Sequence, residues 1–194
     1  MTLRADHAQI ADWIAPGSRV LDLGCGDGTL LAYLRDAKGC RGYGVELSDE
    51  HVAHCVRARI NVVQQNLDAG LRMFDDDMFD TVVLSQTLQA MHNAEGLLRE
   101  MARVGREGVV SFPNFGHWRH AVSLLAGRMP VTKHIPYQWY DTPNIHLCTL
   151  KDFEILASKV GLMITGRAVF ADGRTVDVLP ALRATLAVYR FETR

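Results

Sequence analysis

The residues best placed to do chemistry lie in one run, Val20-Leu21-Asp22-Leu23-Gly24-Cys25-Gly26-Asp27-Gly28. A short apolar strand runs into Gly24-x-Gly26-x-Gly28, and a helix is expected directly afterwards. Glycines at such a turn let the backbone bend sharply and approach a ligand without interference from Cβ atoms. About 20 residues on, Glu46 ends a second strand, where a carboxylate accepts hydrogen bonds from both hydroxyls of a ribose. Together these features describe a nucleoside-containing cofactor lying across the carboxyl ends of the strands. The spacing argues against a dinucleotide. Pyrophosphate loops follow G-x-G-x-x-G, but here Thr29 holds the sixth position and the third glycine comes one residue early. Asp22 and Asp27 flank the loop and would repel a pyrophosphate. They suit a ligand carrying an ammonium or sulfonium group.

The elements around this loop alternate. A helix over residues 4–14 carries Ile10, Trp13 and Ile14 at helical spacing and ends at Pro16-Gly17. Strands follow at Val20 to Leu23, Gly42 to Leu47, residues 60–65, Phe79 to Ser85 and Gly108 to Phe112, with helices between them near 28–37, after Ser48 and over Ala94 to Val104. Ser48 is a good N-cap. Asp75-Asp76-Asp77 reads as a solvated turn before the fourth strand. Apolar strands alternating with helices predict a parallel sheet covered on both sides. After residue 150 come a helix (Lys151 to Val160) and two β-rich segments, 162–170 and 184–191, expected to pair as an antiparallel hairpin. The stretch 113–149 breaks the rhythm, with Pro130, Pro136, Pro143, Trp118, Trp139, Tyr137 and Tyr140. A long aromatic-rich insertion of this kind is either functional or a lid that packs its own rings.

The arrangement resembles the S-adenosylmethionine site of class I methyltransferases, through Val20 to Gly28, Glu46 and Asn66-Leu67-Asp68 after the third strand. That resemblance implies an α/β fold: a single Rossmann-like domain over residues 1–194, with a mostly parallel central sheet, a C-terminal antiparallel hairpin and helices on both faces. It also implies a cofactor, S-adenosylmethionine or S-adenosylhomocysteine. Gly24, Cys25 and Gly26 would pass beneath the methionine portion, Glu46 would hold the ribose and Leu47 would cover one adenine face. Asp68, in the Asn66-Leu67-Asp68 turn, would accept from the adenine amino group, and Ser85 would sit near the sulfonium.

No acceptor machinery is recognisable. Strand four ends Leu84-Ser85-Gln86-Thr87, without the Asn-Pro-Pro-Tyr signature of amino-methyltransferases. His92, His117 and His146 are candidate bases, with Tyr137 and Tyr140 as possible acceptor contacts. Over its whole length the chain is similar to the methionine-biosynthesis MetW family. The most specific blocks are Arg128-Met129-Pro130-Val131-Thr132, Pro136-Tyr137-x-Trp139-Tyr140 and Asp141-Thr142-Pro143-Asn144-Ile145-His146. That resemblance implies a partner of homoserine O-acyltransferase, with methyl transfer to a small molecule as the alternative. The chain is not the acyltransferase, since it has no G-x-S-x-G nucleophile elbow.

Composition agrees with these expectations. The 194 residues are 48% hydrophobic and carry 21 Lys plus Arg against 22 Asp plus Glu, a net charge of −1. That balance gives no electrostatic case for nucleic acid or a membrane surface. Met1 to His7 lacks the apolar core and cleavage site of a secretory signal, so a cytoplasmic protein is expected. Cys25, Cys40, Cys55 and Cys148 form no C-x-x-C pair and read as free thiols. His51, His54 and Cys55 share one expected helix, and His117 and His120 another. Neither group has a full ligand set, so no metal is expected.

Overall fold

A computed structural model describes residues 3–133 and 135–193. Eight strands form one sheet in the order β3-β2-β1-β4-β5-β8-β6-β7. Strands β1 (Arg19–Leu23), β2 (Arg41–Glu46), β3 (Val62–Gln64), β4 (Phe79–Ser85) and β5 (Gly105–Pro113) are mutually parallel. Strands β6 (Leu162–Ala171), β7 (Arg174–Thr175) and β8 (Leu186–Thr193) complete the sheet in antiparallel fashion. Strand order reverses between β1 and β4, and ligands of open α/β sheets bind at such a switch point, outside the carboxyl ends of the strands.

Neighbouring residues of the strands feed two cores, one on each face. Val20, Val83, Val109 and Val188 face helices α1 (Ala5–Trp13), α2 (Thr29–Lys38) and α3 (Asp49–Arg57), which supply Ile10, Leu34 and Cys55. Leu21, Val82, Val110 and Tyr189 face the other way, against α4 (Ala94–Val104) and α6 (Leu150–Lys159). This two-sided burial explains why the parallel strands read as unbroken apolar runs. Two further helices are α5 (Trp118–Leu125) and the single turn α7 (Pro180–Arg183), and 3₁₀ turns lie at Leu67–Ala69 and Leu88–Ala90.

Most expected elements fall within two or three residues of their places. Ser48 caps α3 by accepting from the His51 N–H, and His51, His54 and Cys55 share that helix. The C-terminal segments do pair antiparallel, β6 with β8, but not as a plain hairpin. The 171–183 connection turns back first, laying Arg174–Thr175 along β6, then forms α7. Beyond the last residue of β5, Pro113, the only regular element among the described residues of 113–149 is α5, capped by the His117 side chain.

Candidate functional site

The glycine turn is held open by backbone geometry. Gly24, Gly26 and Gly28 have φ of 70°, 56° and 78°, the left-handed region that residues with a Cβ rarely enter. At Gly24 the constraint is also steric, because a Cβ would lie 2.6 Å from Thr87 Oγ1. A Cβ on Gly26 would meet nothing within 4 Å, so the loop's outer side faces open space. The Gly24 and Cys25 N–H groups donate to Val45 O at 2.8 and 3.2 Å, tying the turn to β2.

Glu46 closes the second side. Its Oε2 accepts from the Gly26 N–H at 2.8 Å, and its Oε1 from the Leu47 and Ser48 N–H groups at 2.9 Å each. A carboxylate offers roughly four lone-pair positions, so one remains beyond these three bonds. Leu47 beside it is 61% exposed, an apolar surface of the kind a flat ring covers. Asp27 is exposed and caps the loop's exit, accepting from the Thr29 N–H at 3.0 Å; the Thr29 side chain, with this N–H behind it, holds the Asp27 carboxyl below the usual range.

Asp22 lies beneath the turn, buried, and its Oδ1 has no hydrogen-bond partner. Burial pushes its carboxyl up to about 7, with the Arg4 charge opposing and Glu46 adding to the rise. A buried carboxylate oxygen without a donor is costly. An ammonium group over the loop would supply the missing donor. Cys25 and Leu67 turn their side chains inward. Cys25 Sγ lies 3.8 Å from Cys55 Sγ, and Leu67 packs in the core, so only their backbones face the edge. Burial raises both thiols.

Asp68 holds His92. Its Oδ1 accepts from the His92 N–H at 3.0 Å and its Oδ2 lies 2.8 Å from His92 Nδ1, which lowers the carboxyl's pKa. Asn66 Oδ1 accepts from the Asp68 N–H. His92 and His146 line a cavity of about 360 Å³ with Leu88, Leu147 and Leu156. His117 instead caps α5 through Nδ1, and Tyr137 and Tyr140 are 43% and 71% exposed.

At the end of β4, Ser85 joins a cluster whose other members, Arg4, Asp6 and Gln86, the sequence did not single out. Asp6 is fully buried, and its Oδ2 accepts from Gln86 Nε2 at 2.9 Å and Ser85 Oγ at 3.2 Å. Arg4 clamps the same carboxylate through Nε and Nη2 at 3.1 and 2.9 Å. Burial alone would raise Asp6, but the Gln86 bond and Arg4 outweigh it and hold it below the ordinary range. Gln86 has a φ of 49°, a strained backbone held by bonds from its N–H to Ser111 O and Oγ. One signal was available: Asp6, Ile10 and Ile14 lie four residues apart, which puts a carboxylate on the helix's core-facing stripe.

Residues 4–191 match the family described as methionine biosynthesis protein MetW. This chain belongs to that family. A relative from Rhodopirellula baltica, named bifunctional methionine biosynthesis protein MetXA/MetW, is 38% identical over 208 residues. The match takes in 98% of this chain but only 33% of the relative, so the chain spans about a third of that protein's length. A sterol 24-C-methyltransferase from Schizosaccharomyces pombe is 32% identical over 106 residues, 50% of this chain and 27% of that protein. Among solved structures, an S-adenosylmethionine-dependent methyltransferase from Mesorhizobium loti has a TM-score of 0.73 at 18% identity, covering 97% of both chains. The [4+2]-cyclase SpnF has a TM-score of 0.70 at 17% identity, over 96% of this chain and 80% of its own. These structures share the class I methyltransferase fold with the chain. No helix among the described residues is long and apolar enough to cross a membrane.

Proposed function

We propose that the carboxyl edge of the sheet binds S-adenosylmethionine or S-adenosylhomocysteine, and that the chain is an accessory or regulatory partner of homoserine O-acyltransferase. The observation that carries the cofactor reading is the pairing of an open, left-handed glycine turn with the buried, donorless Asp22 oxygen. Glu46 is bonded to the turn and keeps a lone pair for a ribose hydroxyl. Leu47 would lie against the adenine, with Asp68 at its amino edge and Ser85 toward the sulfur. When bound, S-adenosylmethionine supplies an electrophilic methyl group. The chain's own residues would bind and orient it.

The partner reading is supported by the relative whose name joins MetXA and MetW in one protein. It is also supported by the aromatic face of 113–149, where Trp139 and Tyr140 are each 71% exposed. Large amphipathic rings are frequent interface anchors. A second reading is methyl transfer to a small molecule, and the apolar cavity beside His92 and His146 favours it.

Calorimetry with S-adenosylhomocysteine and NAD, followed by titration of the acyltransferase with and without the nucleoside, tests this. Binding of the first ligand and not the second is expected. The cofactor should change acyltransferase affinity or activity by about 5- to 150-fold, a coupling of ~1–3 kcal/mol. An unchanged acyltransferase would overturn the regulatory reading. Catalytic release of S-adenosylhomocysteine from a metabolite screen would favour the second. Trp139→Ala should weaken acyltransferase binding by ~2–4 kcal/mol.

A further inference from the structure

The proposed ligand poses a charge problem at this edge. Its amino-acid end carries an ammonium and a carboxylate, and the turn is surrounded by Asp22, Asp27 and Glu46. Those acids suit the ammonium, but they would repel the carboxylate. A cation is needed on the β4 side of the loop, and Arg4 is there. Its Nη2 donates to Ser85 Oγ at 3.2 Å and lies 2.8 Å from His7 Nε2. Its charge reaches Asp22 beneath the turn, and His7 beside it feels Asp27 at the loop's exit.

Arg4 is also held in advance. The Asp6 carboxylate grips Nε and Nη2 in a two-point fork, and Asp6 is fixed by Gln86 and Ser85. These contacts leave Nη1 unused, and the side chain is 56% exposed. A planar guanidinium held in this way offers its Nη1 N–H groups to a second carboxylate at little entropic cost. The geometry points to Arg4, positioned by Asp6, as the residue that binds the carboxylate of the ligand's amino-acid end. This rests on the cofactor reading above and adds to it the residue that selects ligands with an intact amino-acid tail. It also gives the buried Asp6 a purpose: it aims α1's first residues at the site.

The test compares S-adenosylhomocysteine with 5′-methylthioadenosine, which keeps the nucleoside and thioether but lacks the amino-carboxyl end. Both are titrated calorimetrically into the full chain and into Arg4→Gln and Arg4→Lys, with melting curves for each. Arg4→Gln should weaken S-adenosylhomocysteine about tenfold to a hundredfold, the worth of a charge-assisted hydrogen bond. It should leave methylthioadenosine within about threefold. Arg4→Lys, which keeps the charge without the fork, should recover part of the loss. Equal losses for both ligands, or none for either, would overturn the inference while leaving the cofactor reading intact. If the unaltered chain bound neither ligand, the cofactor reading would fall and this inference with it.

Discussion

The carboxyl edge of the sheet and the 113–149 segment treat their side chains in opposite ways. At the edge, polar groups are engaged with one another, some of them buried: Glu46 takes three N–H groups, and the buried Asp6 is held by Arg4, Ser85 and Gln86. Asp22 Oδ1 is an exception. In 113–149, apolar groups are exposed: Leu125 is 89% exposed, and Trp139 and Tyr140 meet edge to face at 5.7 Å with most of their surface in water. The first region has the preorganised polar groups that the proposed nucleoside ligand would need. The second presents area that its own fold does not cover, as interaction surfaces do. Substitutions should therefore separate by region, with stability and ligand affinity moving at the edge and partner affinity in the insertion.

The largest effect is expected from Gly24→Ala. A left-handed φ of 70° costs a residue with a Cβ ~1–2 kcal/mol. The methyl would also press against Thr87, and overpacking adds ~1–3 kcal/mol. A loss of about 2–5 kcal/mol in urea unfolding, with ligand binding abolished, is expected. A variant as stable as the parent would show that the turn is slack and weaken the contrast between the regions.

Asp22→Asn comes next and has a signed pH dependence. The folded carboxyl is pushed up to about 7 from an ordinary value of 3.8, because burial penalises its charge. Between those values the folded state holds a proton that the unfolded state has released. Stability therefore falls as pH rises through the window, by ~1.4 kcal/mol per unit. Below the window Asp22 contributes no such loss, and above it the loss is complete. Asp22→Asn should flatten this slope and make the ligand-free protein more stable than the parent at pH 8, by on the order of 2–4 kcal/mol. At pH 4 the two should differ little. The same change should weaken S-adenosylhomocysteine, whose ammonium loses its charged partner. Parallel slopes would show that Asp22 is solvated.

Glu46→Ala should cost ~1.5–3 kcal/mol of nucleoside affinity, roughly tenfold to a hundredfold. It also strips three N–H groups of their acceptor, so melting temperature should be followed alongside calorimetry. Unchanged binding in a folded variant would remove Glu46 from the ribose site.

The two regions also differed in how far the sequence could be read. The parallel half was legible because its strands are buried on both faces and its turns need glycine, so both apolar runs and Gly24-x-Gly26-x-Gly28 are written locally. The Arg4–Asp6–Ser85–Gln86 cluster was not, because the bonds that tie its two halves together join residues about 80 positions apart and no local rule encodes them. The 171–183 turn-back was missed for a related reason: β7 has two residues, too short for a period. Leu67 and Cys25 were assigned to the site by position alone, and the structure turns both side chains inward, which a motif cannot reveal.

The smallest effect should come from Trp139→Ala on the isolated chain. Its ring is mostly in water, and its aromatic neighbour Tyr140 is equally exposed, so truncation removes little buried area. Surface substitutions of this kind usually fall within ~0.5 kcal/mol. Melting temperature and S-adenosylhomocysteine affinity should both stay near the parent's, while acyltransferase binding falls. That split separates three roles for the insertion. A lid over the nucleoside would lose ligand affinity with partner binding retained. A local core would lose melting temperature together with both. An interface anchor loses the partner alone, and the exposure of the ring makes that the expected result.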